Sequence, residues 1–305
     1  MAPPDTGVAP DTAPGLAPDT TPDVALRHIV AACHADLLKY RAVVLASRRP
    51  IGIHQTRVAL RRLRAAFGLF KSAVDGPVVR ALSAEAKWLA GECAPARDLH
   101  VFLNETVDDV PPIVRRIGNR LAKTHLERAR TALSGARFEG FHRQLDAFVT
   151  LSPAGTHERL DEFARTVLDT RHDKVVRRGR KLGALDERRL HRLRIAIKKL
   201  RYAASFLRPA FASPAFASRG ARPYIEATVR LQGALGALND RAVAAHVLAD
   251  LATAARPTED VARPLKALAK QAASGSKRRR RRLERAWRDF RKAGCFWKEN
   301  PSPRA

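Results

Sequence analysis

Cysteine is scarce: three occur in 305 residues, at Cys33, Cys93 and Cys295. They are scattered, odd in number and without metal-ligand spacing, which excludes a disulfide framework and a cysteine-based zinc site. They are expected to be small buried apolar residues of a chain kept in a reducing cytoplasm. Aromatic residues make up 6% of the chain, and no stretch alternates at period two long enough for a strand, which argues against sheets. No apolar run approaches the roughly 18 residues of a membrane span. The first residues lack the basic start and apolar middle of a secretory signal, and their acidic, proline-rich character argues against a transit peptide. No Gly-rich phosphate loop and no cluster of carboxylates for a metal ion is present, so neither metal nor cofactor is expected.

What is abundant is positive charge. Lys and Arg number 57 against 30 Asp and Glu, a net charge of +27. The leader, residues 1–22, reads MAPPDTGVAPDTAPGLAPDTTP, with APDT recurring and no Lys or Arg. Such a segment cannot bury enough apolar surface to offset its ordering entropy and is expected to be disordered. The rest of the chain is therefore more basic than the total implies. So much like charge opposes compaction unless an anion neutralises it, which points to a polyanionic partner.

From Asp23 onward apolar residues recur at spacings of three and four, predicting an all-α protein. The expected helices cover 23–45, with Asp23 as N-cap, then 53–71 and 78–92, and a short one after Asp98. The next, capped by Asp109, ends at Gly135 and is followed by 138–151. A break at Ser152–Gly155 precedes helices at 157–181, 187–208, 223–237, 240–255 and 259–273, and a basic helix beginning in the Lys277–Arg282 run. That run is expected to be an exposed tail outside the main site. The domain is expected over 23–295, in halves of about 23–151 and 156–295, with 296–305 as a tail.

One pattern appears twice. HQTRVALRRLR begins at His54 and HRLRIAIKKLR at His191, 137 residues later. That shift superposes Arg57 on Arg194, Arg61–Arg62 on Lys198–Lys199, Arg64 on Arg201, and Arg41 on Arg178. Further on, a shift of 142 matches LAGECAPARDLHV with LQGALGALNDRAV, pairing Asp98 with Asp240. Internal duplication of a helical unit, with a pseudo-two-fold relation, is the expected consequence.

At about 100° per residue from His54, Arg57, Arg61 and Arg64 fall near 300°, 340° and 280°, one stripe beside the histidine. Leu60, Leu63, Phe67 and Phe70 cluster opposite. His191, Arg194, Lys198 and Arg201 repeat the arrangement against Ile197, Leu200 and Leu207, while Arg62 and Lys199 sit off the stripe near 80°. Each stripe runs about 15 Å along its helix. Like charges at i,i+3 and i,i+4 repel, and an extended polyanion bridging them would relieve that repulsion. Neither signature has a carboxylate spaced to support a catalytic histidine. His54 and His191 are read as phosphate contacts or structural hydrogen-bonding groups, and Asp98 and Asp240 as helix caps or partners of a nearby Arg.

The segments HQTRVALRRLRAAFGLF, ARDLHVFL, HRLRIAIKKLRYAASFL and LQGALGALNDRAVAAHVL together resemble the CHAD family, the conserved histidine α-helical domain, over roughly residues 24–292. The resemblance implies a helical bundle of two duplicated four-helix-like halves and a central basic groove lined by the two signature helices and their neighbours. It implies binding of inorganic polyphosphate there, through His54, Arg57, Arg61, Arg64, His191, Arg194, Lys198 and Arg201, with Arg41, Arg178, Arg62 and Lys199 beside them. It also suggests association with polyphosphate granules in a bacterial cytoplasm. Many CHAD proteins carry an alternating-glutamate ExExK motif in a triphosphate tunnel domain; this sequence has none, so no triphosphate hydrolysis or synthesis is implied. The expectation is a binding protein rather than an enzyme. Two alternatives stay open: a basic protein associated with nucleic acid or the ribosome, and a phosphate-transfer enzyme using the paired histidines. The first lacks a base-stacking motif.

Overall fold

Proline at the first position of a helix costs nothing, because the missing N–H would lack an intrahelical partner there. Four helices begin in this way, at Pro22, Pro50, Pro77 and Pro112. The computed structural model describes residues 16–151, 158–211 and 220–298, with the side chains of 237–242 and 276 excepted. Among the described residues no strand occurs. The helices are α1 (Pro22–Ala46), α2 (Pro50–Leu69), α3 (Pro77–Glu92) and α4 (Ala94–Val101), the last continued by a π-helical turn over Phe102–Thr106. Then follow α5 (Pro112–Ser134), α6 (Ala136–Thr150), α7 (Leu160–Gly179), α8 (Glu187–Leu207), α9 (Ala221–Thr253), α10 (Ala262–Ala273) and α11 (Ser276–Lys292). The Ser152–Gly155 break lies outside the described residues.

Several expected boundaries move, each for a local reason. Thr21, not Asp23, caps α1; its hydroxyl accepts from the Val24 amide at 3.5 Å. Asp23 instead lies buried in the first turn, paired with Arg27 at 3.3 Å. Asp109 caps nothing: it takes a left-handed φ of 48°, while the Pro111–Pro112 pair holds the chain extended up to the first turn of α5. The helices expected at 223–237 and 240–255 are one continuous helix, α9. Asn and Asp cost a helix interior only about 0.7 kcal/mol each, which burial on both sides outweighs.

That burial explains the length of α9. Its first half places Leu231 and Leu235 in a large core with Leu26, Leu60, Leu63, Phe141, Ile197 and Leu200. Its second half places Val247 and Leu251 in a smaller core with Phe102, Val114, Ile117 and Leu268. Both cores mix residues from before and after the 152–157 break, so the apolar interior is not divided there.

The main core also takes in residues from before and after the expected span. Leu16, placed in the leader by sequence, is buried in the main core. The carbonyls of Thr20 and Pro18 accept from the Leu160 and Asp161 amides at 2.7 and 3.2 Å. They thus satisfy the first turn of α7, whose cap residue Arg159 contributes no side-chain bond. The first 15 residues lie outside the described residues.

At the other end Phe296 and Trp297, expected in the tail, are buried, and the Trp297 indole donates to Asp169 at 3.0 Å. The Lys277–Arg282 run forms the first part of α11, with most of its side chains exposed. That helix packs on α9 through Leu283, Ala286 and Phe290. Its Trp287 ring lies across Gly179 of α7, where a β-carbon would stand 2.2 Å from the ring.

Cys33 and Cys93 are buried thiols whose pKa burial pushes up to about 12, whereas Cys295 is half-buried. Trp297 packs edge-on against Tyr224 at 4.9 Å. Trp297→Ala should therefore cost about 3–5 kcal/mol in urea unfolding. A loss below about 1 kcal/mol would show that the segment after Lys292 is not part of the core.

Candidate functional site

The site is built on α2 and α8, which pack directly on each other. Asp186 caps α8, its carboxylate accepting from the Arg189 amide at 2.7 Å. Gly52 permits the close start of α2, since a β-carbon there would meet the Val44 backbone nitrogen at 3.1 Å. Opposite each basic stripe, Leu60, Leu63 and Phe67 of α2 and Leu193, Ile197 and Leu200 of α8 fill the main core. The apolar faces fix how each helix rotates, and the polar stripes follow.

Two contacts tie the pair together. Arg61 of α2 donates through Nε to the Tyr202 hydroxyl of α8 at 2.7 Å. Arg171 of α7 donates to the Lys199 carbonyl of α8 at 2.9 Å and to the Gly68 carbonyl of α2 at 3.1 Å. Burial draws the Arg171 pKa down to about 10. Sequence reasoning identified neither Arg171 nor Tyr202. The repeat offset pairs them with His34 and Ala65, so duplication gives no signal for either.

The packing gathers four of the expected residues. Lys198 has its pKa lowered to about 8, first by burial and then by Arg194, Arg61, Arg64 and Lys199. The charged neighbours that lower it most are all cations. Arg61 and Arg64 belong to the first signature and Arg194 and Lys198 to the second, so one electropositive cluster spans both helices.

Arg57 stands beside Arg61 but is already engaged. It donates to the Ala90 carbonyl at 2.8 Å and faces Asp98 at 3.8 Å. Burial lowers the Arg57 pKa and raises that of Asp98, outweighing their mutual attraction. Asp98 sits inside α4 rather than capping it. The Asp240 side chain lies outside the described residues.

Arg201 differs most from its place on the stripe. Its guanidinium is 1% exposed and lies 4.5 Å from the Tyr202 ring centroid, and among the described residues none of its three nitrogens has a hydrogen-bond partner. A buried guanidinium is costly, and the ring offsets part of that cost. Its counterpart Arg64 is exposed. The difference lies in the second half of α8, where Arg201, Tyr202, Ala203 and Ala204 are all buried in succession.

Arg41, Arg62 and Arg178 hold the bundle. Arg41 donates to the Leu133 carbonyl at 2.8 Å and to Glu139 at 2.7 Å, stacking over Phe138. Arg62 pairs with Asp36 at 2.9 Å. Arg178 donates to the Arg192 carbonyl at 2.8 Å. Lys199 is exposed and joins Arg171, Lys174 and Arg178 on a second basic face, which together with burial lower its pKa. His54 is half-buried on α2 and His191 exposed on the first turns of α8. Among the described residues, no group of three or more His, Cys, Asp or Glu side chains is placed to hold a metal ion.

The cross-helix coupling is measurable. In a 13Cε lysine titration one lysine should titrate near pH 8, and Arg64→Ala should move it upward by several tenths of a unit. The depressed pKa means the folded protein carries a penalty for the protonated amine. That penalty is complete below about pH 8 and is relieved as pH rises from 8 toward the unfolded value of 10.5. Stability should accordingly gain over that window in the wild type and not in Lys198→Met. A Lys198 titrating near 10.5 would contradict the cluster.

Comparisons with known proteins agree with this architecture. The CHAD domain model matches residues 28–249, well over half of the chain. The crystal structure of the CHAD domain from the plant Ricinus communis superposes with a TM-score of 0.76 at 25% identity, covering 93% of this chain and 97% of that one. PptA from Streptomyces chartreusis superposes with a TM-score of 0.56 at 18% identity, over 89% and 98% of the two chains, a likeness of fold alone. No curated protein matches the chain. A helical fold with two basic signatures brought onto one surface, a family model spanning both signatures and a superposable crystal structure lead to one assignment: the chain belongs to the CHAD domain family.

Proposed function

We propose that the protein binds inorganic polyphosphate without chemically transforming it, on the face where α2 meets α8. The observation that carries this reading is the cationic cluster of Arg61, Arg64, Arg194 and Lys198, in which burial first, and then the neighbouring cations, lower the Lys198 pKa to about 8. A chain of phosphates supplies one negative charge after another along such a cluster. Arg61 and Arg64 offer forked donors, and Lys198 a point charge. Arg57 can exchange Asp98, 3.8 Å away, for a phosphate oxygen. Membership of a family with polyphosphate-binding members supports the same ligand.

Binding would proceed by charge neutralisation and counterion release, so affinity should fall steeply with salt. Among the described residues no group of three or more His, Cys, Asp or Glu side chains could hold a metal ion, which favours binding over metal-assisted phosphate transfer. Among the described residues the exposed large apolar side chains are Leu45, Ile51, Val78 and Leu151, all aliphatic. Among the described residues the aromatic side chains Tyr40, Trp88 and Trp287 are only half-exposed, which limits stacking of nucleic-acid bases. No helix among the described residues is long and apolar enough to cross a membrane. Attachment to polyphosphate granules in a cytoplasm would follow from the same affinity.

The test is competition between long-chain polyphosphate and single-stranded DNA, matched in charge concentration, at about 0.15 M salt. Polyphosphate should win, and Arg64→Ala, Arg194→Ala and Lys198→Ala combined should weaken it at least about a hundredfold while barely changing DNA binding. Equal binding of both polymers, or an unaffected variant, would overturn the proposal. Because bound phosphate restores the Lys198 proton, polyphosphate affinity should also drop about tenfold from pH 7 to pH 9. Lys198→Arg should flatten that dependence.

A further inference from the structure

Helix α4 separates two cavities of opposite character. Pro95, Asp98 and Leu99 face one of about 420 Å³, together with His125, His246 and Asp250. Ala96, Arg97 and His100 face the other, of about 440 Å³, which opens between the start of α2 and the middle of α5. The cations of the second cavity are Arg48, Arg49, Arg97 and Lys123. Arg97 is partly neutralised by Glu105 at 3.1 Å. Among the described residues, Arg48, Arg49 and Lys123 have no ion-pair partner.

This cavity differs from the α2–α8 cluster in place and in lining. Arg49 lies twelve residues before Arg61, about 18 Å along the helix axis. Beside its cations the cavity presents Pro50, Ile53, Ala96 and Leu126. An inorganic phosphate chain gains nothing from such a wall, whereas a ligand with a carbon body does. The volume falls within the range of about 300–1,000 Å³ that encloses a small organic molecule. With Ala122, five short apolar side chains cover a base and sugar, and are too few to enclose an acyl chain.

We propose that this cavity is a second anion site, for a nucleoside polyphosphate. The phosphates would be held by Arg48, Arg49 and Lys123 and the base and sugar would lie against Ile53, Ala96 and Leu126. The cavity lies at the N-terminal end of α2, where the helix dipole favours negative charge. The site does not depend on polyphosphate being the ligand of the α2–α8 face.

Calorimetry with ATP and with inorganic tripolyphosphate tests it on the full chain carrying Arg64→Ala, Arg194→Ala and Lys198→Ala, so that the α2–α8 face contributes little. ATP should bind at least about tenfold more tightly than tripolyphosphate, the excess coming from the carbon body. Adding Arg49→Ala and Lys123→Ala, both at exposed positions, should weaken ATP at least about tenfold. In the otherwise wild-type chain the same pair should leave long-chain polyphosphate affinity within about twofold. Three results would each overturn the proposal: tripolyphosphate binding as tightly as ATP, ATP binding indifferent to the pair, or a lyso-phosphatidate outcompeting ATP. Failure of polyphosphate to bind the α2–α8 face would leave the ATP result standing, so the two readings fail separately.

Discussion

The contact between α2 and α8 is the constraint on which the rest depends. Each helix alone would carry a basic stripe that repels itself and is well solvated. Pressed together by Leu60, Leu63, Ile197 and Leu200, they bring Arg61 and Arg64 against Arg194 and Lys198 in a partly dehydrated setting. Electrostatic repulsion weakens as water is admitted, so the protein must hold this face closed by other means. It does so with the buried apolar faces, with the Arg61–Tyr202 bond, and with Arg171 clamping the two backbones from α7.

That arrangement costs stability, and the fold carries the cost in specific places. Arg201 is buried without a described hydrogen-bond partner, and the Lys198 amine gives up much of its proton affinity. A large core that draws on nearly every helix offsets these costs. It extends to Leu16 before α1 and to Phe296 and Trp297 after α11. Local stability is thus given up around Lys198 and Arg201, as it often is at functional sites. The sorting of charge around α4, acidic on one side and basic on the other, continues the same economy at smaller scale.

The all-α class, most helices and the two signature helices were legible because apolar spacing and proline placement are local properties. So was the rotation of each helix: residues opposite the stripe, such as Leu63 and Leu200, are buried. What a helical wheel cannot say is how many neighbours surround a helix. Arg64 and Arg201 share a wheel angle, yet one is exposed and the other enclosed, because α8 is covered along its second half and α2 is not. Nor can it say which cations already have partners. Arg41 and Arg62 match the repeat but are bound to Glu139 and Asp36. Arg171 and Tyr202, which hold the site together, have no counterpart in the repeat. The continuity of α9 was hidden because Asn239 and Asp240 imitate a helix start, while the burial that overrides them is tertiary.

The central claim is that two signatures far apart in the sequence make one site. The most direct measurement is the stoichiometry of a polyphosphate of about ten residues, followed by native mass spectrometry or calorimetry at low protein concentration. One chain per molecule, with binding strongly weakened both by Arg64→Ala on α2 and by Arg194→Ala on α8, is the result expected of a single cross-helix site. Two chains per molecule, each lost with only one of the substitutions, would mean that the stripes act separately and that their packing has no part in binding.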